Sequence, residues 1–357
     1  MLHEYVGNLH CHTVYSDGWG RHNDLARAAI NAGLDFLVVT DHNVWVQGLD
    51  GYRLHQDQRL LLLTGQEIHD PTRQPQKNHL LTYETGQELA AKASDPQRLI
   101  DAVQQADGLS FLAHPFDPPA PLFDEDNLSW ESWDVDGYTG LEIWNFMTEY
   151  KGLLTSWRRA IYYAYRPDLI ASGPFPETVA RWDQLLAAGR KVVGIGGSDA
   201  HALPVRKGPL KRVIFPYEFL FRAVNTHVLT ETPLTGEVDI DRKRLFLSLR
   251  RGRCFIGYDL PASTRGFRFN AASDEGEAEM GDTLHPRFGV TLQIHAPRRC
   301  RLQLLCDGEP VQGWSDRSQA VLTVHRPGAY RVEAYLPYRG RERTWILSNA
   351  IYIRSAK

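Results

Sequence analysis

Up to about residue 260 the chain repeats one pattern: a short, almost unbroken apolar run, then a stretch with helical spacing. The runs are "DFLVVTDHN", "LLLLTGQEIHD", "NHLLTY", "LSFLAHPFD", "GLEIWN" and "KVVGIGGSDAH". Runs that are apolar on both faces suit strands covered on both sides, as in a parallel sheet. Between them, "RHNDLARAAINAGL" places Leu25, Ala28, Ala29 and Ala32 at helical spacing and stops at Gly33, a natural residue just past a helix end. "DPQRLIDAVQQADG" repeats this with Leu99, Ala102, Val103 and Ala106, and "ETVARWDQLLAAG" does so a third time. The alternation predicts an α/β fold, and its length fits a barrel.

Where the polar residues fall narrows the function. Every run except "NHLLTY" carries its His, Asp or Glu at its C-terminal end, and in a parallel barrel those ends meet at one rim. The earliest instance is "NLHCHTVYSDG", residues 8–18. In an extended chain His10 and His12 share a face, with Cα atoms roughly 6.6 Å apart, while Cys11 turns into the core. Asp17 returns toward the same spot after a turn. The full set is His10, His12, Asp17, His42, Glu67, His79, His114, Asp199 and His201. Left unpaired, each would cost several kcal/mol to bury. Divalent metal ions resolve that cost together, and the thiolate-free N/O set favours Zn²⁺, Mn²⁺ or Fe²⁺. Nine ligands are too many for one ion and suit two or three.

At this point the chain resembles a known family. "HCHTVYSDG", "TDH", "GQE", "NHLL", "AHP" and "GSDAH", in this order, resemble the polymerase-and-histidinol-phosphatase (PHP) domain over residues 1–260. The resemblance implies a distorted seven-stranded β/α barrel with a trinuclear metal centre. His10, His12, Glu67 and Asp199 would hold the first ion. Asp17, His42 and His201 would hold the second. Glu67, His79 and His114 would hold the third, with Glu67 bridging. The same resemblance makes Glu67, Asp199 and His201 the catalytic candidates. The tail motifs "GFRF", "MGDTL", "GAYRVEAY" and "WILSNAIYIR" resemble the CehA/McbA-type metallohydrolase branch, which includes carbamate and ester hydrolases.

From residue 261 the texture shifts to short alternating strands between Gly, Pro and Asp turns, which predicts an antiparallel β-sandwich over 261–357 that folds as its own unit and supplies no metal ligand. Residues 115–182 break the barrel rhythm and read as an insertion over the site. Its aromatics, Trp130, Trp133, Tyr138 and Trp144, serve either as substrate walls or as packing.

The expected activity is metal-dependent hydrolysis by a metal-bridging hydroxide, most simply of a small phosphate ester. Arg206 and Lys207 are candidates for phosphate contact, and Glu142 and Asn145, at the end of "GLEIWN", for substrate contact. Asp41 reads as a residue that orients a ligand histidine. An ester or carbamate hydrolase is the alternative, and a non-catalytic metal scaffold a further one. A net charge of −3 and the lack of a long basic run argue against a nucleic-acid polymer or membrane partner. The four cysteines form no C-x-x-C pair, so a reducing, cytoplasmic home is expected.

Overall fold

The structure, a computed structural model, describes residues 2–207 and 210–355, with the side chains of Lys207 and Leu210 outside the description. The first thirteen strands are β1 His3–Asn8, β2 Phe36–Val39, β3 Gly51–His55, β4 Gln58–Thr64, β5 Gln66–Ile68, β6 Leu80–Tyr83, β7 Leu109–Leu112, β8 Gly140–Asn145, β9 Val193–Gly197, β10 Leu203–Lys207, β11 Leu210–Ile214, β12 Val224–Thr230 and β13 Cys254–Tyr258. Seven helices lie among them: α1 His22–Ala32, α2 Pro96–Gln105, α3 Phe146–Gly152, α4 Trp157–Tyr165, α5 Pro176–Ala187, α6 Tyr217–Phe221 and α7 Val238–Arg250.

The expected helices form, with buried faces turned from the expected ones: Ala28, Ala32 and Ala106 are only partly covered. In α1 the residues Leu25, Ala26, Ala29 and Ile30 are buried, and Gly33 ends it at φ +83°, where a glycine carries no side-chain penalty. Asp95 caps α2 by accepting from Arg98 N–H, and Pro96 starts it, a position where no N–H is missed.

The strands form a mixed α/β fold, a distorted barrel built as two arcs. One arc runs β13-β12-β1-β2-β4-β3 and the other β5-β6-β7-β8-β9. Single bridges link them at one rim, Cys11 to Ala200 and His42 to Glu67. Pairing thus runs through two sheets instead of one closed seven-stranded ring. β6 is antiparallel to both β5 and β7. That explains the odd run out: "NHLLTY" carries His79 at its start, and a reversed strand brings its start to the rim where its neighbours end. Residues 115–182 are not one insertion, because β8, the "GLEIWN" run, lies within them and pairs with β7 and β9. Four aromatics of that stretch are packed inward, while Trp157, Tyr162 and Tyr165 are exposed. Trp130, Tyr138 and Trp144 are buried, and Trp133 lies under the Arg181 guanidinium at 4.5 Å. The expected substrate wall is therefore core.

Eight further strands follow: β14 Arg268–Ser273, β15 Gly276–Glu279, β16 Thr283–Leu284, β17 Val290–Cys306, β18 Glu309–Val324, β19 Gly328–Tyr338, β20 Arg341–Ser348 and β21 Ile351–Ile353. They do not stand apart as a second sandwich. β20 pairs with β13 through Phe255–Ser348, Ile256–Leu347 and Gly257–Ile346, so one sheet runs from the barrel into the tail. Leu229 and Phe255 of the barrel share an apolar cluster with Trp345, Ile346 and Ile351. All four cysteines are free and buried. Among the described residues no helix is long and apolar enough to cross a membrane.

Candidate metal centre

Past β1 the chain stays extended. His12 N–H donates to Ala200 O (2.9 Å) and Thr40 N–H to Cys11 O (2.8 Å). Alternation puts Leu9 and Cys11 in the apolar core and turns His10 and His12 together onto the rim, ring centroids 5.1 Å apart. The sequence expectation for all three residues holds.

Glu67 on β5 sits at the middle. Its Oε2 lies 3.0 Å from His10 Nε2 and 3.2 Å from His12 Nε2. Its Oε1 lies 2.9 Å from His79 Nδ1 and 3.0 Å from His114 Nε2. The two oxygens of one carboxylate thus face two different sets of imidazoles. Asp199 Oδ1 completes the first set, 3.3 Å from His10 Nε2 and 3.1 Å from His12 Nε2. A further set gathers at the mouth, where Asp17 faces His201 Nε2 at 3.2 Å and His42 Nε2 at 3.5 Å. Donor atoms lie within 4.8 Å of one another in each of the groups His10–His12–Glu67–Asp199, His12–Asp17–His42–His201 and Glu67–His79–His114. All nine residues singled out from the sequence come together.

Two of them stand on unusual backbone. His114 and Asp199 have φ of +26° and +56°, a region that disfavours side chains and costs of order 1–3 kcal/mol. Hydrogen bonds hold both there: His114 N–H to Glu142 Oε2 at 3.0 Å and Asp199 N–H to His10 O at 2.9 Å.

The supporting residues have other roles than the sequence suggested. Glu142 is buried, with Oε1 3.0 Å from His10 Nδ1 and Oε2 accepting from His114 N–H and Asn145 Nδ2. It orients His10 instead of facing substrate, a common arrangement behind metal-binding imidazoles. Asn145 reaches Asp199 Oδ2 at 3.3 Å and caps α3 through Thr148 N–H. Asp117 stands behind His114, 3.7 Å from Nδ1, and pairs with Lys151 at 3.1 Å. Asp41 does not touch His42; it accepts from Thr13 N–H, Thr13 Oγ1 and Ser16 Oγ, bracing the loop that carries Asp17. Arg206 is exposed on the β10–β11 hairpin, and the Lys207 side chain lies outside the described residues. A Cβ on Gly197 would come within 2.9 Å of His10 Cβ and 2.8 Å of Glu142 Oε1, so that contact needs a glycine.

Sequence reasoning missed His69. It is buried two residues after Glu67, its ring stacked on His79 at 4.4 Å, and its donor atom lies within 4.8 Å of those of His42 and His79. Alternation along β5 was the available signal, since residues 67 and 69 share a face.

The electrostatics match a cation-binding centre. Burial opposes ionisation of Glu67, but the charges of His10, His42 and His79 hold it well below the usual carboxylate range. Burial likewise opposes a charged His12, yet the close carboxylates of Asp199 and Glu67 push its pKa up to about 10. For His114, Glu67 and then Asp117 overcome burial and lift it to about 9. Burial wins at His79, lowered to about 3, and at His69, lowered to about 4. His12 Nδ1 and Nε2, His42 Nδ1, His79 Nε2 and Asp199 Oδ1 are buried without a hydrogen-bond partner. Several sit within 3.3 Å of an opposite group but are not aligned with it, as ligands aimed at a shared point are. Orphaned buried polar atoms cost about 1–3 kcal/mol each, so the donor set fits divalent ions.

The family comparison agrees with this geometry. The family model described as PHP domain matches residues 8–129, a span that holds seven of the nine converging residues. The chain carries a PHP domain. Asp199 and His201 lie beyond the matched span and join the other seven through the fold. Comparison with curated proteins finds no match. Among solved structures, the chain is similar to a two-domain protein of Bacteroides vulgatus containing a predicted PHP-like metal-dependent phosphoesterase, at 14% identity, with 98% of this chain and 95% of that one covered and a TM-score of 0.45. A protein of Bifidobacterium adolescentis, described on prediction as a metal-dependent phosphoesterase, is 18% identical, with 59% and 91% covered and a TM-score of 0.33. The lesion-specific endonuclease Q of Pyrococcus furiosus is 16% identical, with 68% and 56% covered and a TM-score of 0.37.

Proposed function

We propose that this protein is a metal-dependent hydrolase of small phosphate esters with two or three divalent ions per chain. The observation that carries the reading is Glu67, whose Oε1 and Oε2 face separate imidazole sets; one carboxylate serving two sets is what a bridged centre requires. His10, His12, Glu67 and Asp199 would hold one ion, Asp17, His42 and His201 a second, and Glu67, His79 and His114 a third. Zn²⁺, Mn²⁺ or Fe²⁺ in these positions supply Lewis acidity and an activated water at neutral pH.

The chain's own groups prepare that chemistry. Glu142 holds the ring of His10 in place, and Asp117 places a carboxylate 3.7 Å from His114 Nδ1. Asp199 contacts His10, His12 and, through Oδ1, His201 at 3.6 Å, so it couples the buried set to the mouth. His201 receives its orientation from Asp199 O, 2.8 Å from its Nδ1, which leaves Nε2 facing the centre. Neighbouring cations favour a dianionic phosphoryl group over a neutral carbonyl, and fixed charges aimed at developing negative charge contribute several kcal/mol. Arg206 and Lys207 remain the candidates for a further contact to phosphate.

Ester or carbamate hydrolysis is the second reading. Its support is the apolar mouth: Val14, Tyr15 and Trp19, around Asp17, are all exposed. Metal-loaded protein tested on phosphate monoesters, diesters, carboxylic esters and carbamates separates the two. The phosphoesterase reading expects competitive inhibition by inorganic phosphate, weakened in Arg206→Ala. Cleavage of an aryl carbamate or ester, with turnover indifferent to high millimolar phosphate, would establish the second reading instead.

A further inference from the structure

The loop between the ligands His12 and Asp17 and its continuation to Gly20 has a fixed backbone and an apolar exterior. Val14 N–H donates to Gly20 O (3.0 Å), Gly18 N–H to Thr13 O (3.0 Å), and Trp19 N–H to the backbone oxygen of ligand His201 (2.9 Å). Tyr217 Oη, itself 2.8 Å from His12 O, accepts from Gly20 N–H at 3.1 Å. Gly18 presses against His12 so closely that a Cβ there would stand 2.2 Å from His12 O. Such a loop is held on every side. Yet Val14 is 50%, Tyr15 58% and Trp19 63% exposed, three large apolar side chains within six residues that also include the half-exposed ligand Asp17.

Single exposed apolar residues are ordinary, but a rigid cluster of them beside a site marks a contact surface. Of the 115–182 stretch, Trp130, Tyr138 and Trp144 are buried and Trp133 packs under Arg181, so none of these four walls the mouth. We propose that Trp19 and Tyr15, with Val14, form the leaving-group subsite of this centre, and that the preferred substrates are esters of a planar, apolar alcohol such as a phenol. The inference rests on the hydrolase reading above and specifies which ester is hydrolysed. A rigid aromatic lip gains stacking and buried area with a flat group at little entropic cost. It touches the ring of the leaving group and not the bond that breaks, so its contribution falls on binding.

The test compares phenyl phosphate with an alkyl phosphate of similar size, in wild type, Trp19→Ala, Trp19→Phe and Tyr15→Ala, each checked for metal content. Trp19→Ala should raise KM for the phenyl ester about five- to tenfold, leave kcat for it within about twofold, and cut the phenyl-over-alkyl ratio of kcat/KM by a similar factor, with Trp19→Phe restoring most of it. Equal effects on both esters, a loss confined to kcat, or no effect with metal retained would each overturn the subsite. If wild type cleaves neither phosphate ester but does cleave carbamates, the phosphoesterase reading fails while the subsite is judged on phenyl against alkyl carbamates by the same ratio.

Discussion

Glu142 shows how much of this site lies behind its ligands. Both oxygens are committed to protein donors, and one of them fixes His10 Nδ1 at 3.0 Å. Glu142→Ala should therefore weaken the ion held by His10, His12, Glu67 and Asp199 by about 10- to 100-fold while Asp17, His42 and His201 keep theirs, read by chelator competition. An equal loss at every ion would show a general collapse instead. The nine converging residues were legible because histidines and carboxylates gathered at strand ends are costly to bury unless something cationic draws them together. Glu142 was legible as a strand-end carboxylate but not in its role, because its partner lies 132 residues away. His69 went unread for a related reason: His42 is set beside it by the bridge to Glu67, and His79 by the pairing of β5 with β6.

Among the elements, α6 acts on the site through one hydroxyl. Tyr217 Oη lies 2.8 Å from His12 O and 3.0 Å from His201 O and accepts from Trp19 and Gly20 N–H, tying together the two segments that carry the mouth ligands. Tyr217→Phe should cost about 1–3 kcal/mol of stability and release the ion at Asp17, His42 and His201 first; unchanged affinity for that ion would contradict the clamp. A different network joins β12 to β1. His227 Nδ1 lies 2.8 Å from Glu4 and its Nε2 3.4 Å from Asp259. Burial opposes its charge, but Asp259 and Glu4 prevail and raise its pKa. A raised folded value means that the pair's contribution is complete below about pH 6.5 and is lost as pH climbs through the folded value. Wild-type melting temperature should accordingly fall on the alkaline side, and His227→Gln should melt lower at pH 6 with a flatter alkaline slope. Equal slopes would show that His227 does not set this pH dependence. At this scale the strands were legible and their pairing was not. The start-loaded "NHLLTY" run carried the sign of a reversed strand, which the parallel-sheet reading passed over, whereas the continuity of β13 into β20 depends on residues some 90 apart, which no local pattern announces.

Over the whole molecule, the tail reads from sequence as a unit of its own, yet the structure ties it into the barrel. Asn349 accepts from Gly194 N–H at 2.7 Å and donates to Gly194 O and Cys254 O. The buried Arg331 pairs with Asp183 through two 2.7 Å contacts. A chain ending at Leu260 would strip β13 of its partner and leave these groups unsatisfied. It should be insoluble or lack a cooperative melt, and a soluble product melting near wild type would restore the independent tail. The central claim, however, is that nine converging side chains hold metal around one bridging carboxylate. Elemental analysis of gently purified wild type and Glu67→Ala tests it most directly. Two or three divalent ions per chain in wild type, with Glu67→Ala losing more than any single histidine variant, is the expected result. No more than a trace of metal in wild type, with none regained on reconstitution, would contradict it.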